Sequence, residues 1–115
     1  MKYLAFVLII CFITFSSCQQ SHPFFGTWAD NRGNTISFFD DNTFIARIFS
    51  GGITRMFEGS WVLLQNTITL NCTALDGVDV QLRIVSEWDI RGNMLRLDWP
   101  LDDGVAALTL FKVSN

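Results

Sequence analysis

The chain has 115 residues, of which 50% are hydrophobic, and its formal net charge is −3 at pH 7. This length is typical of a single domain. The acidic excess argues against the basic surface that nucleic-acid-binding proteins use, and equally against electrostatic docking on anionic lipid.

The N-terminal residues 1–17 have the pattern of a secretory signal peptide. Lys2 is followed by an apolar run over residues 4–15 and then by the small residues Ser16 and Ser17. A positive start, a short apolar core and small residues at the cut site define such a peptide. The run is shorter than the roughly 20 residues that a membrane-spanning helix needs. An ordinary signal peptide cut nearby and an uncleaved anchor remain the alternatives.

The small residues before Cys18 resemble a bacterial lipoprotein lipobox. This resemblance implies cleavage before Cys18, its acylation with palmitate-type chains, and attachment to the membrane through that lipid. The predicted divisions are a lipoprotein signal peptide at 1–17, a lipidated tether at 18–23 and a barrel domain at 24–115. Inner-membrane retention is associated with Asp after the cysteine, whereas this chain has Gln19, so the resemblance favours the outer membrane of the cell envelope.

The three cysteines of the chain predict a mature domain without an internal disulfide. Cys11 leaves with the signal peptide, and Cys18 is the proposed lipidation site. Cys72 then remains alone, on the apolar side of an alternating strand, where a free thiol behaves as a small buried hydrophobe. The fold must therefore be held by its hydrophobic core.

From residue 24 onward, apolar and β-branched runs alternate with turn residues at short, even spacing, which is typical of an all-β protein. The predicted strands are 24–28, 35–39, 43–49, 53–64, 67–74, 78–90, 94–99 and 105–113. Pro100 is expected to end the seventh strand because it has no N–H to donate. Gly59 is expected to mark a bulge or a close backbone approach.

Tight turns between eight strands favour a small antiparallel up-and-down β-barrel, because closing the barrel removes exposed strand edges. An eight-stranded barrel has an interior just wide enough for side chains or for one small ligand. Residues 43–49 and 105–113 carry large apolar groups on both faces. We interpret this surplus either as an outer patch for a partner or a second copy, or as a slip in strand phase or a covering sheet.

A short Gly-x-Trp motif occurs twice, at residues 26–28 (Gly-Thr-Trp) and 59–61 (Gly-Ser-Trp). Residues 92–97 have the sequence Gly-Asn-Met-Leu-Arg-Leu. At these residues the chain resembles the small lipocalin-like lipoproteins of bacteria, within the calycin group. The resemblance implies a lipocalin-like barrel. Lipocalins pair their opening Trp with a late Arg, and here that partner is either absent or replaced by Lys112.

The residues argue against catalysis, so we predict that the protein is not an enzyme. The only histidine, His22, lies in the tether, so no Ser-His-Asp or Cys-His arrangement can form on the barrel. One histidine and one apolar-face cysteine do not make a zinc site. No cofactor and no metal site are expected.

Two functions remain open for this predicted envelope protein. The first is binding of a small hydrophobic ligand or a protein partner at the barrel mouth, through Phe25, Trp28, Trp61, Trp88 and Trp99. The alternative is a structural or inhibitory protein with a filled barrel that acts through its outer surface, with a homodimer as one possible form. The volume of the barrel cavity distinguishes the two.

Overall fold

The computed structural model of the protein describes residues 23–101 and 104–114. In this part of the chain, antiparallel strands form one closed barrel, in which neighbours in sequence pair and β8 closes onto β1. The strands are β1 (Gly26–Ala29), β2 (Thr35–Phe38), β3 (Thr43–Ser50), β4 (Ile53–Leu64), β5 (Thr67–Leu75), β6 (Val78–Arg91), β7 (Met94–Leu101) and β8 (Gly104–Ser114). The predicted eight-stranded up-and-down barrel is confirmed.

Each strand begins and ends within two residues of its predicted bounds. Asp76 and Gly77 both have positive φ, 52° and 81°, which suits the two-residue turn between β5 and β6. The Asp76 carboxylate also accepts a hydrogen bond from the Met56 backbone N–H at 2.8 Å. Asn42 and Gln65 have positive φ in the turns after β2 and β4.

Antiparallel order places successive turns at opposite ends of the barrel. The end that we call the closed end carries residues 23–25, the turns after β2, β4 and β6, and the last residues of β8. The end that we call the open end carries the turns after β1, β3 and β5, the last residues of β7 and the first residues of β8. The two ends differ in how the strands pair and in what fills the barrel.

Inward-facing side chains form one core, and on β3 the strand phase is as the alternation predicts. Phe44, Ala46 and Ile48 are buried, whereas Phe49 is 48% exposed. β8 keeps the same alternation as far as Phe111, with a register shift against β1 beyond it. The exposed apolar side chains on its outer face are Val105, Phe111 and Val113.

Gly59 lies opposite a bulge in β5, whose extra residue is Thr73, so it marks both a bulge and a close backbone approach, as the sequence analysis expected. The register against β5 shifts between Glu58 and Gly59. A Cβ atom on Gly59 would lie 1.9 Å from the backbone oxygen of Asn71 and 2.9 Å from the Cα of Cys72. Glycine is needed here because two backbones come closer together than any side chain permits.

The prediction that β7 ends before Pro100 is wrong, since the strand continues to Leu101. Pro100 pairs with Val105 of β8, but β6 pairs with β7 only as far as Leu97. The Pro100 nitrogen lacks a proton and faces the side from which β6 has departed. Proline is tolerated at such an edge position because no ladder hydrogen bond is lost.

The predicted signal peptide and Cys18 lie outside the described residues. Within the described part of the chain, no helix has the length and apolarity needed to cross a membrane.

We predict that Gly59→Ala destabilises the protein by about 3 kcal/mol or more, because the added methyl overlaps a backbone oxygen that cannot move without breaking the β4–β5 ladder. Urea unfolding measures the change. Ser60→Ala, one residue along the same strand, is the control and should stay within about 0.5 kcal/mol of the wild type. Equal stability of the two variants would contradict the close approach.

Candidate functional site

An aromatic cluster fills the closed end of the barrel around Phe24. Its ring lies 5.0 Å from Phe38 on β2, 5.9 Å from Trp61 on β4 and 4.9 Å from Trp88 on β6, between ring centroids. Phe24 is completely buried. Phe24, two residues before β1, closes this end because its ring contacts three different strands around the barrel.

Trp28 and Lys112 hold that residue in place. The Trp28 indole Nε1 donates a hydrogen bond to the Phe24 carbonyl oxygen at 3.1 Å. The Lys112 ammonium lies 5.1 Å from the centroid of the Trp28 ring and donates to the Pro23 carbonyl at 3.2 Å. A cation over an indole face contributes about 0.5–2 kcal/mol. Lys112 thus lies against the opening Trp, in the position that the resemblance assigned to an absent or replaced Arg.

The open end contains an apolar cavity of about 630 Å³, which we call the mouth cavity. It lies between the parts of β3 to β7 that are nearest the open end. Its apolar walls include Ile48, Ile53, Phe57, Leu75, Leu82 and Trp99. The Phe57 and Trp99 rings meet edge to face at 5.1 Å and form its floor.

The mouth cavity exists because β6 and β7 separate before they reach the open end. Their ladder stops at the pair Trp88–Leu97. The Ser86 hydroxyl then accepts a hydrogen bond from the Asp98 backbone N–H at 2.9 Å and donates to the Glu87 carbonyl at 2.7 Å. A side chain therefore replaces the strand pairing, and the gap beyond it opens the barrel wall.

The bulge in β5 opposite Gly59 also turns Leu75 toward the mouth cavity. The alternation of residues 67–74 predicts that Ala74 faces inward with Cys72, and this is wrong because Thr73 is an extra residue between the pairs Gly59–Cys72 and Glu58–Ala74. Leu75 consequently pairs with Phe57 across the β4–β5 ladder. The bulge changes which side chain faces the barrel interior, and no alternation pattern in the sequence marks it.

Arg55 is the charged residue that lines the mouth cavity. It pairs with the buried Ile48 across the β3–β4 ladder, so its side chain starts on the inner face of the barrel. The one ion pair among residues 23–101 and 104–114 joins Arg91 to Asp89. Arg55 is exposed and forms no ion pair with a carboxylate of the described chain, so an anionic group could bind it.

The structure divides the five aromatic residues that the sequence analysis predicted as ligand contacts. Phe25, Trp28, Trp61 and Trp88 belong to the closed end, and Trp28 and Trp61 are fully or almost fully buried. Trp99 alone lines the mouth cavity. Arg55 and Leu75 escaped the sequence analysis, since the alternation shows neither where two neighbouring strands stop pairing nor where a bulge reverses the phase of β5.

A hydrogen-bonded loop after β1 forms the neighbouring rim of the open end. The Asp30 carboxylate accepts bonds from the Arg32 and Asn34 backbone N–H groups at 2.8 and 2.9 Å, and from the Asn34 side-chain amide at 2.8 Å. The Asn34 side-chain oxygen in turn accepts from the Phe49 N–H at 2.7 Å. Asn34 is almost fully buried, so this network fixes the loop against the tip of β3.

Cys72 is buried at 1% exposure, and its thiol donates to the Ala74 carbonyl at 3.2 Å. Among residues 23–101 and 104–114, no three His, Cys, Asp or Glu side chains group together in a way that could hold a metal ion. His22 lies outside the described residues.

No protein-family model matches the chain, and no curated protein matches it.

We predict that the Asp30 loop loses stability in acid. Partial burial raises the pKa of Asp30, but the hydrogen bonds from Asn34 and Arg32 outweigh it and hold that pKa below its usual value. The ionised carboxylate therefore stabilises the fold above about pH 4, and this contribution disappears as the pH falls through the lowered pKa.

Urea unfolding across a pH series tests this prediction with Asp30→Asn. The wild type should be the more stable protein at neutral pH, and its advantage should shrink below about pH 4. An advantage that stays constant down to about pH 3 would contradict the role of the carboxylate.

Proposed function

We propose that this protein is a non-catalytic, lipid-anchored protein of the cell envelope that binds a small ligand in the mouth cavity. The ligand has an apolar body and an anionic group. The observation that carries the proposal is the contrast between the two ends of the barrel. Aromatic rings fill the closed end, whereas the open end has an apolar cavity lined by Arg55, which forms no ion pair with a carboxylate of the described chain.

The size and lining of the mouth cavity support a small ligand. Its volume of about 630 Å³ falls within the range of roughly 300–1,000 Å³ that ligand pockets occupy. Below it, Phe57 and Trp99 fill the barrel, so a ligand would bind at the mouth and not along the axis. Burying a chain of about eight methylene groups would contribute about 6 kcal/mol before the costs of association.

Arg55 supplies the selectivity in this proposal. A guanidinium is always charged and matches the geometry of a carboxylate or phosphate with two parallel hydrogen bonds. Arg55 lies near the rim, where its head can reach water while its stem follows the apolar wall. The bound ligand would accordingly insert its apolar end first and leave its anionic group at the rim.

The proposed anchor agrees with this direction of access. Lipidation at Cys18 would leave a tether of residues 18–23, which reaches at most about 3.5 Å per residue. Such a tether would hold the closed end, where Pro23 is bound to Lys112, near the membrane. The mouth cavity would then face away from the bilayer, toward the aqueous phase in which a ligand diffuses.

Native mass spectrometry of the protein, purified gently from the cells that produce it, tests the proposal first. We expect a reproducible adduct of a few hundred daltons, the mass of a ligand that fits the cavity, that is lost on denaturation. A clean ligand-free mass would overturn ligand storage and favour the filled-barrel alternative.

We predict that Arg55→Gln weakens binding of dodecanoate about ten- to hundredfold, because a charge-assisted hydrogen bond is lost. Binding of dodecanol, which has the same chain and no charge, should change little. Arg96→Gln removes an exposed arginine from the outer face of β7 and serves as the matched control. Isothermal titration calorimetry measures all three proteins, and equal losses for both probes would contradict the role of Arg55.

A further inference from the structure

The edge of β8 on the side of β1 is unpaired over more than half of the strand. β8 runs from Gly104 to Ser114, whereas β1 has four residues. The β1–β8 ladder ends at the pair Ala29–Phe111. Residues 104–110 therefore pair with β7 on one side and have no strand of the described chain on the other.

The alternation along β8 identifies which of its backbone N–H and C=O groups have no partner strand. The pairing of β8 with β7 is continuous from Gly104 to Phe111, so alternate β8 residues direct their N–H and C=O groups toward β7. Consistently, the Lys112 N–H donates to the Asn93 carbonyl at the start of β7. The N–H and C=O groups of Val105, Ala107 and Thr109 consequently face away from β7.

A cleft of about 1010 Å³, which we call the β8 slot, lies along this edge. One wall is β8 itself, and the other is formed by the loop after β1 together with Phe49. The hydrogen bond from the Phe49 N–H to the Asn34 side chain fixes the far wall. The slot is therefore preformed, and its length and its line of unpaired groups suit an extended chain.

The edge also lacks the features that keep exposed strands from pairing. Residues 104–111 (Gly-Val-Ala-Ala-Leu-Thr-Leu-Phe) contain no charge and no proline. Natural proteins usually protect such an edge with lysine, proline, a bulge or a covering segment. An uncharged edge beside a preformed slot is instead a template for strand addition.

Charge at the slot indicates the direction and the chemistry of the added strand. Both Asp30 oxygens already accept hydrogen bonds within the loop. Arg32 lines the slot; its charge attracts the Asp30 carboxylate, but no ion pair joins it to a carboxylate of residues 23–101 and 104–114. A strand antiparallel to β8 runs toward the open end, so its carboxyl end would arrive at the rim that carries Arg32.

We propose that the β8 slot binds one extended peptide segment of a partner protein, antiparallel to β8, with an acidic side chain or a free C-terminal carboxylate beside Arg32. The segment continues the barrel wall where β1 stops. A second copy of this chain fits the slot less well. Its β8 would bring its own β7 with it, into the space that the loop and Phe49 occupy.

The probe for this proposal is a synthetic peptide of about seven alternating threonine and valine residues that ends in aspartate with a free carboxylate, the length of the unpaired edge. We expect it to protect the amides of Val105, Ala107 and Thr109 from hydrogen exchange. The Leu108 and Leu110 amides, which face β7, should change little and act as internal controls.

Ala107→Pro and Ala107→Val form the matched pair of variants. Proline removes one N–H that faces the slot and leaves the β7 ladder intact, whereas valine keeps that N–H and suits a strand. We expect Ala107→Pro to weaken peptide binding at least about tenfold and Ala107→Val to bind as the wild type does. Equal binding by the two variants would overturn strand addition.

The charge contact is tested separately, so the proposal does not depend on the folding of the proline variant. Amidating the carboxyl terminus and replacing the terminal aspartate by asparagine should weaken binding to the wild type by about tenfold, and much less to Arg32→Gln. An equal effect on both proteins would overturn the role of Arg32. A concentration-dependent dimer in sedimentation, with the same amides protected before peptide is added, would assign the slot to a second copy and overturn the proposal.

Discussion

The barrel is complete only near its closed end, and its other features depend on this constraint. β1 and β2 have four residues each, whereas β4, β6 and β8 have eleven to fourteen. A cylinder can close only over the height that its shortest strands reach. β8 meets β1 beside residues 27–29, and β6 meets β7 beside residues 88–91, both near the closed end. Toward the open end the wall separates in two places, which gives the mouth cavity and the β8 slot.

The closed end compensates for this incomplete pairing with packing. The Phe24 ring contacts rings on three strands, its carbonyl accepts a hydrogen bond from the Trp28 indole, and the Lys112 ammonium lies over the face of that indole. Removing a buried aromatic side chain of this kind typically costs about 3–5 kcal/mol. Because the rigid part of the core lies at one end, the strands at the other end are free to diverge without loss of the fold.

The two openings have different chemistry, which is why we assign them different ligands. The mouth cavity presents side chains, chiefly aliphatic and aromatic, with Arg55 at the rim. The β8 slot presents backbone N–H and C=O groups, with Arg32 at its end. Side-chain walls select a compact apolar molecule, whereas a row of backbone groups at strand spacing selects another backbone.

The sequence alone determined the strands and the faces of their side chains. Alternation has the period of a strand, and Asn, Asp and Gly mark the turns, so the eight strands, the buried Cys72 and the bulge at Gly59 could all be predicted. The tertiary structure alone decided where each ladder stops. Pro100 lies inside β7 because the β6–β7 ladder stops before it, and Leu75 turns inward because β5 has a bulge. The pairing of the strands also places four of the predicted aromatic residues at the end opposite Trp99. A local pattern reports which face a residue occupies and where its strand begins and ends, but it carries no information on where two neighbouring strands stop pairing.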